Sequence, residues 1–327
     1  MIQLPYIIAE IASAHEGSPA KLRKLANAAI KSGASAIKFQ IFKRSNLLSK
    51  NNSLYDDFGK IEIPFREWKA ILDEYTAKNI DIITEIFDYE SLKIIKYHDC
   101  HIKVPSASIA DKLYLNEISQ FDKKIFLAVG GSNLKEISDA LKLLSKVKDV
   151  ILLAGFQNFP TKIEDSNLSQ INLLKAKFNL QIGYADHVDA EDLLMRFMVP
   201  SIAYSLGARY IEKHITLDRS LKGRDYYSSL NPPEFREFVN HLKSISKSFG
   251  DPKNMGNSDA ELAYKKFSKK YAVANRDIAI GEKCYLEDFY FLRTGDIGIS
   301  ENDIKKYLNK KIKKSIKRND TLLPNFF

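Results

Sequence analysis

Eight short strand-like segments, spaced by helical patterns, constrain this chain more than any other feature of its sequence. They are Tyr6–Ile11, Ala36–Ile41, Asp81–Glu85, His101–Pro105, Lys124–Val129, Val150–Gly155, Gln181–Gly183 and Ala208–Ile215. Helical patterns lie between them, for example Pro19–Ser32, Phe65–Lys78, Tyr89–Tyr97 and Asn133–Leu144. Strand alternating with helix predicts parallel βα units. Eight units within about 215 residues predict a closed (β/α)8 TIM barrel in preference to an open doubly wound sheet. No GxGxxG follows the first strand, which argues against dinucleotide binding.

The run Gly250 to Gly256, with Pro252 and Asn254, reads as a boundary. The expected organisation is a barrel over 1–250, a linker over 251–268 and a small, mainly β domain over 269–327. Strands are expected there at Tyr271–Ala274, Asp277–Gly281 and Asp288–Leu292. A unit of that size buries little core and needs a docking partner. No run of 18 apolar residues predicts a membrane span. The apolar start, Met1 to Ala12, lacks a basic n-region and contains Glu10, so a cytoplasmic protein is expected. Cys100 and Cys284 stand too far apart for a CxxC pair. The net charge of +9 collects toward the C-terminus, where Lys305 to Lys317 read as a solvated face. Attraction of an acidic substrate is the functional alternative, and nucleic acid is not expected.

Strand periodicity marks candidate site residues. In Ala36–Ile41 the apolar Ile37, Phe39 and Ile41 alternate with Lys38 and Gln40; in Ala208–Ile215, Glu212 and His214 share a face. In a barrel the polar set turns inward, and the C-terminal rim is where barrel enzymes place their chemistry. His187, just past the seventh strand, and His214, on the eighth, can reach one divalent ion, with Asp225 or Glu10 completing or orienting its shell. The bland alternative is two unrelated polar histidines. His15 is a weaker candidate, and His98, His101 and His241 read as surface or satisfied positions. Lys38 and Lys103 suit a phosphate or carboxylate, with Ser106, Ser108 and Ser132 as donors, or a Schiff base, or a structural ion pair with Glu10, Glu85 or Glu212. Glu10 is the best general acid or base, and otherwise a partner for Lys38. Gly130-Gly131-Ser132 is either a phosphate turn or a plain strand-to-helix turn.

These segments resemble one known family. The stretch Ile8-Ala-Glu-Ile-Ala-Ser-Ala-His-Glu-Gly-Ser18, Lys38-Phe-Gln40, Lys103-Val-Pro-Ser106, Phe159-Pro-Thr161 and Gly183-Tyr-Ala-Asp-His187 resemble sialic acid synthases. The most specific match is Gly207 to Asp218, followed by Gly223-Arg-Asp225 and Ser229-Leu230. The tail from Tyr271 through Arg293 is similar to the antifreeze-like (SAF) domain that ends those synthases. The resemblance implies condensation of phosphoenolpyruvate with an open-chain amino-sugar aldehyde, giving a 3-deoxy-2-ulosonic acid and phosphate. It implies a divalent cofactor at His187 and His214, Mn²⁺ first, with Mg²⁺ or Co²⁺ next. It assigns acid/base work to Glu10, anion binding to Lys38, Lys103 and Ser106, and sugar contacts to Gln40, Glu212 and Asp225. It also implies a swapped homodimer in which the antifreeze-like domain caps the partner's barrel and Arg293 reaches the sugar's N-acyl group.

The chain departs from the family pattern in places. Ala154-Gly155 stands for a frequent His-Cys, Ala128-Val129 for a Ser-Thr, Ala185 for a Ser, Glu85 for a usual Thr, and Gly223-Arg-Asp-Tyr226 for Gly-Pro-Asp-His. Ser132, Gln157 and Phe159 remain candidate substrate contacts. Arg224, Tyr226 and Gln157 would reshape the pocket for an acceptor other than N-acetylmannosamine. A Schiff-base aldolase and a non-catalytic sugar-binding descendant are the alternatives.

Overall fold

The computed structural model describes residues 4–327, so the first three residues of the expected barrel span lie outside it. The described residues divide into two units, 4–249 and 250–327.

In the larger unit the strands are β1 (Tyr6–Glu10), β2 (Ala36–Ile41), β3 (Asp81–Ile86), β4 (His101–Val104), β5 (Ile125–Ala128), β6 (Val150–Ala154), β7 (Gln181–Asp186) and β8 (Ala208–Ile215). Each pairs in parallel with the next, and β1 also pairs with β8, closing the expected barrel. A two-residue strand, β9 (Ser229–Leu230), adds to the end of β8. Strand β7 runs on to Asp186, past the expected stop at Gly183, because Tyr184 and Ala185 continue its pairing with β6 and β8.

Local chemistry explains the outer helices. The helix Pro19–Lys31 starts where the Ser18 side chain accepts from Lys21 N–H, with Pro19 in its first turn. It buries Leu22, Leu25, Ala26 and Ala29, spaced at three and four residues. Each leucine so buried contributes about 1.5–3 kcal/mol. The helix Leu134–Leu143 opens on a capping box between Asn133 and Glu136. The helix expected over Tyr89–Tyr97 shrinks to Leu92–Ile95. Asp88 accepts from the N–H groups of Glu90 and Ser91 and holds a turn there instead.

The barrel interior is layered by the period of two. Its floor is apolar: Ile8, Ala36, Ile83, Phe126, Ile151 and Tyr210 cluster apart from the main core. The main core lies between strands and helices and takes the opposite phase, including Ile37, Phe39 and Ile41. Two residues beyond the floor on each strand, the inward positions become Glu10, Lys38, Glu85, Ala128, Leu153 and Glu212. Gly183 makes room beside this column, since a Cβ there would strike Leu153 and Tyr210.

In the smaller unit β10 (Lys270–Ala274) pairs antiparallel with β11 (Phe289–Arg293). Ala272, Ala274, Ile278, Cys284, Phe289, Ile312 and Ile316 belong to its core. The strand expected at Asp277–Gly281 reduces to one bridge, Ile278 to Ile316. Its ends are diverted: Asp277 accepts from Arg318 N–H, and Gly281 turns at φ +83°. The stretch expected as a linker contains a capped helix, Asp259–Ser268, because Ser258 and Glu261 form a capping box ahead of it.

Candidate active site

The charged layer meets the rim in one cavity of about 310 Å³. Glu10, Lys38, Gln40, Lys103 and Glu212 form its base, and His187 and His214 stand beside them. Ser106, Gln157, Phe159 and Asp225 line it from the loops. The register explains the convergence. Glu10 lies opposite both Lys38 and His214, while Glu85 lies opposite both Gln40 and Lys103.

Three carboxylates and two ammonium groups share the base. Lys38 Nζ is 2.7 Å from Glu85 and 2.9 Å from Glu212, and it also pairs with Glu10. Lys103 Nζ is 2.8 Å from Glu212 and 3.5 Å from Glu85. The ion-pair reading of the lysines is therefore displayed by the same side chains that face the cavity. Burial opposes the charge on Glu212, yet Lys103 and Lys38 hold its carboxyl well below the usual range. Burial also opposes the charge on Lys103, and Glu212 and Glu85 outweigh it and raise its pKa. Burial pulls Lys38 down against the same carboxylates. A Schiff base at either lysine would first have to break these contacts.

The two imidazoles differ from this layer. Their ring centroids are 5.3 Å apart, and Phe159 sits edge-on 4.5 Å from His187 and 5.8 Å from His214. Burial pushes His187 down to about 4 and His214 well below its ordinary value, so both rings are neutral near pH 7. The Nδ1–H of His187 donates to Phe156 O at 2.8 Å, which leaves Nε2 as a free lone pair. His214 Nδ1 is buried without a hydrogen-bond partner. Neutral rings with an orphaned nitrogen fit a metal ion. Among the described residues, however, no three His, Cys, Asp or Glu side chains converge on one point. The carboxylates expected to complete the shell are engaged elsewhere: Glu10 accepts from Ala12 N–H and pairs with Lys38, and Asp225 accepts from Ser13 N–H at 2.9 Å. Behind the rings, the outward Lys213 and Asp186 pair at 2.5 Å and join β8 to β7.

One expected substrate contact, Ser132, is not part of this lining. Ser132 lines a separate cavity of about 590 Å³ with Asn133, Glu164, Asp165 and Gln170. The turn before it is shaped by close backbone approach: a Cβ on Gly130 would collide with Gly155 O. Its acidic neighbours make it a poor phosphate cradle. Arg293 is exposed on β11 of the smaller unit. His15 is structural: its Nδ1 accepts from Gly17 N–H, and its ring meets Trp68 edge-on. Sequence reasoning missed Ser13, Phe58 and Phe87 as cavity-lining residues. Phe58 lies on a short helix after β2 and carries no periodic signal. Glu85 also lines the cavity, and its phase with Ile83 on β3 was the available sign.

Comparison with known proteins agrees with this geometry. The chain is 30% identical to N,N'-diacetyllegionaminic acid synthase of Campylobacter jejuni, over 97% of this chain and 98% of that protein. It is 30% identical to pseudaminic acid synthase of the same species, over 97% and 95%. The structure of N-acetylneuraminic acid (sialic acid) synthetase from Leptospira borgpetersenii superposes with TM-score 0.73 and 28% identity, covering 80% of this chain and 90% of that one. The NeuB family profile matches residues 25–254. This chain belongs to the NeuB family.

Proposed function

We propose that this chain condenses phosphoenolpyruvate with the open-chain aldehyde of an amino sugar, giving a 3-deoxy-2-ulosonic acid and inorganic phosphate. The observation that carries the reading is one cavity joining a buried lysine pair to two neutral imidazoles. The enol carbon of phosphoenolpyruvate attacks the aldehyde carbon, water adds at C2, and phosphate leaves with cleavage of its C–O bond. Two relatives support this class of reaction: one is an N,N'-diacetyllegionaminic acid synthase and the other a pseudaminic acid synthase.

Lys38, Lys103 and Ser106 hold the phosphate and carboxylate, where fixed cations are most useful as charge develops. Glu10, at hydrogen-bond distance from Ala12 N–H, holds or moves the proton of the attacking water. Glu212 Oε2, buried and without a partner, is an acceptor for a sugar hydroxyl, with Gln40 and Asp225 beside it. Gln157 and Phe159 bound the sugar side of the cavity. A divalent ion held by His187 and His214, Mn²⁺ first, would supply Lewis acidity at the aldehyde oxygen. In this reading two chains form a swapped homodimer, with the antifreeze-like unit of one over the barrel mouth of the other and Arg293 at the sugar.

Phosphate release is the test, measured with phosphoenolpyruvate, a divalent ion and a panel of acetamido and diacetamido hexoses, with the product weighed by mass spectrometry. Release needing all three components is expected. Full activity in excess chelator removes the metal role, and borohydride trapping of an adduct at Lys38 or Lys103 overturns the mechanism. A monomer in sedimentation at micromolar concentration removes the swapped cap.

A further inference from the structure

The base of the cavity holds more negative than positive charge before any ligand arrives. Glu10, Glu85 and Glu212 face Lys38 and Lys103, all five nearly or fully buried. An anionic substrate seated on the lysines would add charge to a site already in excess. Like charges packed in a buried site repel one another strongly, and a buried charge without its partner is worse still. A substrate anion that pairs with a lysine therefore competes with the carboxylates already on it.

The three are not equally fixed. Glu212 Oε1 bridges both lysines at 2.9 and 2.8 Å and is 2% exposed. Glu10 is held by Ala12 N–H as well as by Lys38, and is 1% exposed. Glu85 is the loosest. It reaches Lys38 at 2.7 Å but Lys103 only at 3.5 Å, its contact from Gln40 is long at 3.4 Å, and it is 5% exposed to the cavity. It receives no backbone N–H among the described contacts.

We infer that Glu85 is an internal counter-ion seated between Lys38 and Lys103, where it competes with the anionic substrate and sets how tightly that substrate binds. Its two oxygens occupy the positions on the two ammonium groups that a phosphate or carboxylate would take. Substrate binding displaces the carboxylate toward the cavity mouth, where water is available. Until then Glu85 keeps two buried lysines compensated. The inference rests on the phosphoenolpyruvate reading for the identity of the substrate, but not for the competition itself.

The test titrates the full chain and its Glu85→Gln variant by calorimetry, with inorganic phosphate and with phosphoenolpyruvate in turn. Both ligands should bind the variant about tenfold more tightly. Where turnover is measured, KM for phosphoenolpyruvate should fall while KM for the sugar does not. Thermal unfolding checks that the variant is folded. If it is not, Glu85→Asp, whose carboxylate sits farther from the lysines, is read in the same way. Equal or weaker anion binding by the folded variant overturns the inference, even if both proteins condense phosphoenolpyruvate with a sugar. Tighter phosphate binding without turnover on any sugar sinks the condensation reading and leaves the role of Glu85 intact.

Discussion

At the level of the charged layer, β8 and β1 to β4 contribute Glu212, Glu10, Lys38, Glu85 and Lys103, whereas β5 and β6 contribute Ala128 and Leu153, and β7 adds Ala185 nearby. One side of the interior is a network of charges; the other is small and apolar. An apolar wall lowers the local dielectric, so the charges act on one another and on a ligand more strongly than they would in water. It also supplies no hydroxyls, which leaves anion recognition to the lysines and the loops. Facing the cavity, a polar group follows β7 above this level, at His187.

The largest effect that would sharpen the contrast is expected from Lys38→Met. It leaves Glu10, Glu85 and Glu212 short of a counter-ion and should cost about 3–5 kcal/mol in urea unfolding. A loss below 1 kcal/mol would mean that water reaches the layer and the two sides are not so different. Next come His187→Ala and His214→Ala. Each should reduce phosphate release at least about a hundredfold while the folded state persists, and chelation should do the same to the unaltered chain.

A more open ion pair gives a smaller effect and a useful contrast. Arg219 holds Glu234 at 2.5 Å and, against burial, brings its carboxyl down to about 2. A depressed pKa stabilises the fold above the unfolded value and loses that contribution as pH falls through the folded value. Glu234→Gln should therefore cost about 1–2 kcal/mol at neutral pH, after allowance for solvent screening, with the difference closing between about pH 4.5 and pH 2. Denaturant unfolding across that range reads it, and a gap that persists at pH 2 would assign the effect to packing. The smallest change should come from Ala128→Ser, which returns one hydroxyl to the apolar side. It should tighten phosphoenolpyruvate binding about fivefold, the value of one added hydrogen bond. No change in KM would show that this wall lies out of reach of the substrate.

Much of this was legible in the sequence because strand period is two. Lys38, Gln40, Glu212 and His214 could be placed inward from alternation alone, and the cavity contains all four. Ser132 lines the neighbouring cavity, which sequence could not decide, because a glycine turn looks the same whether it faces a substrate or a neighbouring groove. Its destination follows from the approach of Gly130 to Gly155, which no local pattern encodes. The lysines were legible as buried cations but not as to partner, since ion pair and substrate anion make the same demand on a sequence. The short helix at Leu92–Ile95 shows the same limit, with Asp88 diverting the backbone through its own side chain.

By itself, the sequence determined the barrel, the inward phase of its polar residues and the two histidines at the rim, because these depend on periodicity and on chain order. Only the tertiary structure decided which charges meet. Register across β8, β1, β2, β3 and β4 brings five ionisable groups within reach of one another, and burial forces them to pair. That pairing makes Glu85, one of three possible lysine partners in the sequence, the group that stands where an anion would sit.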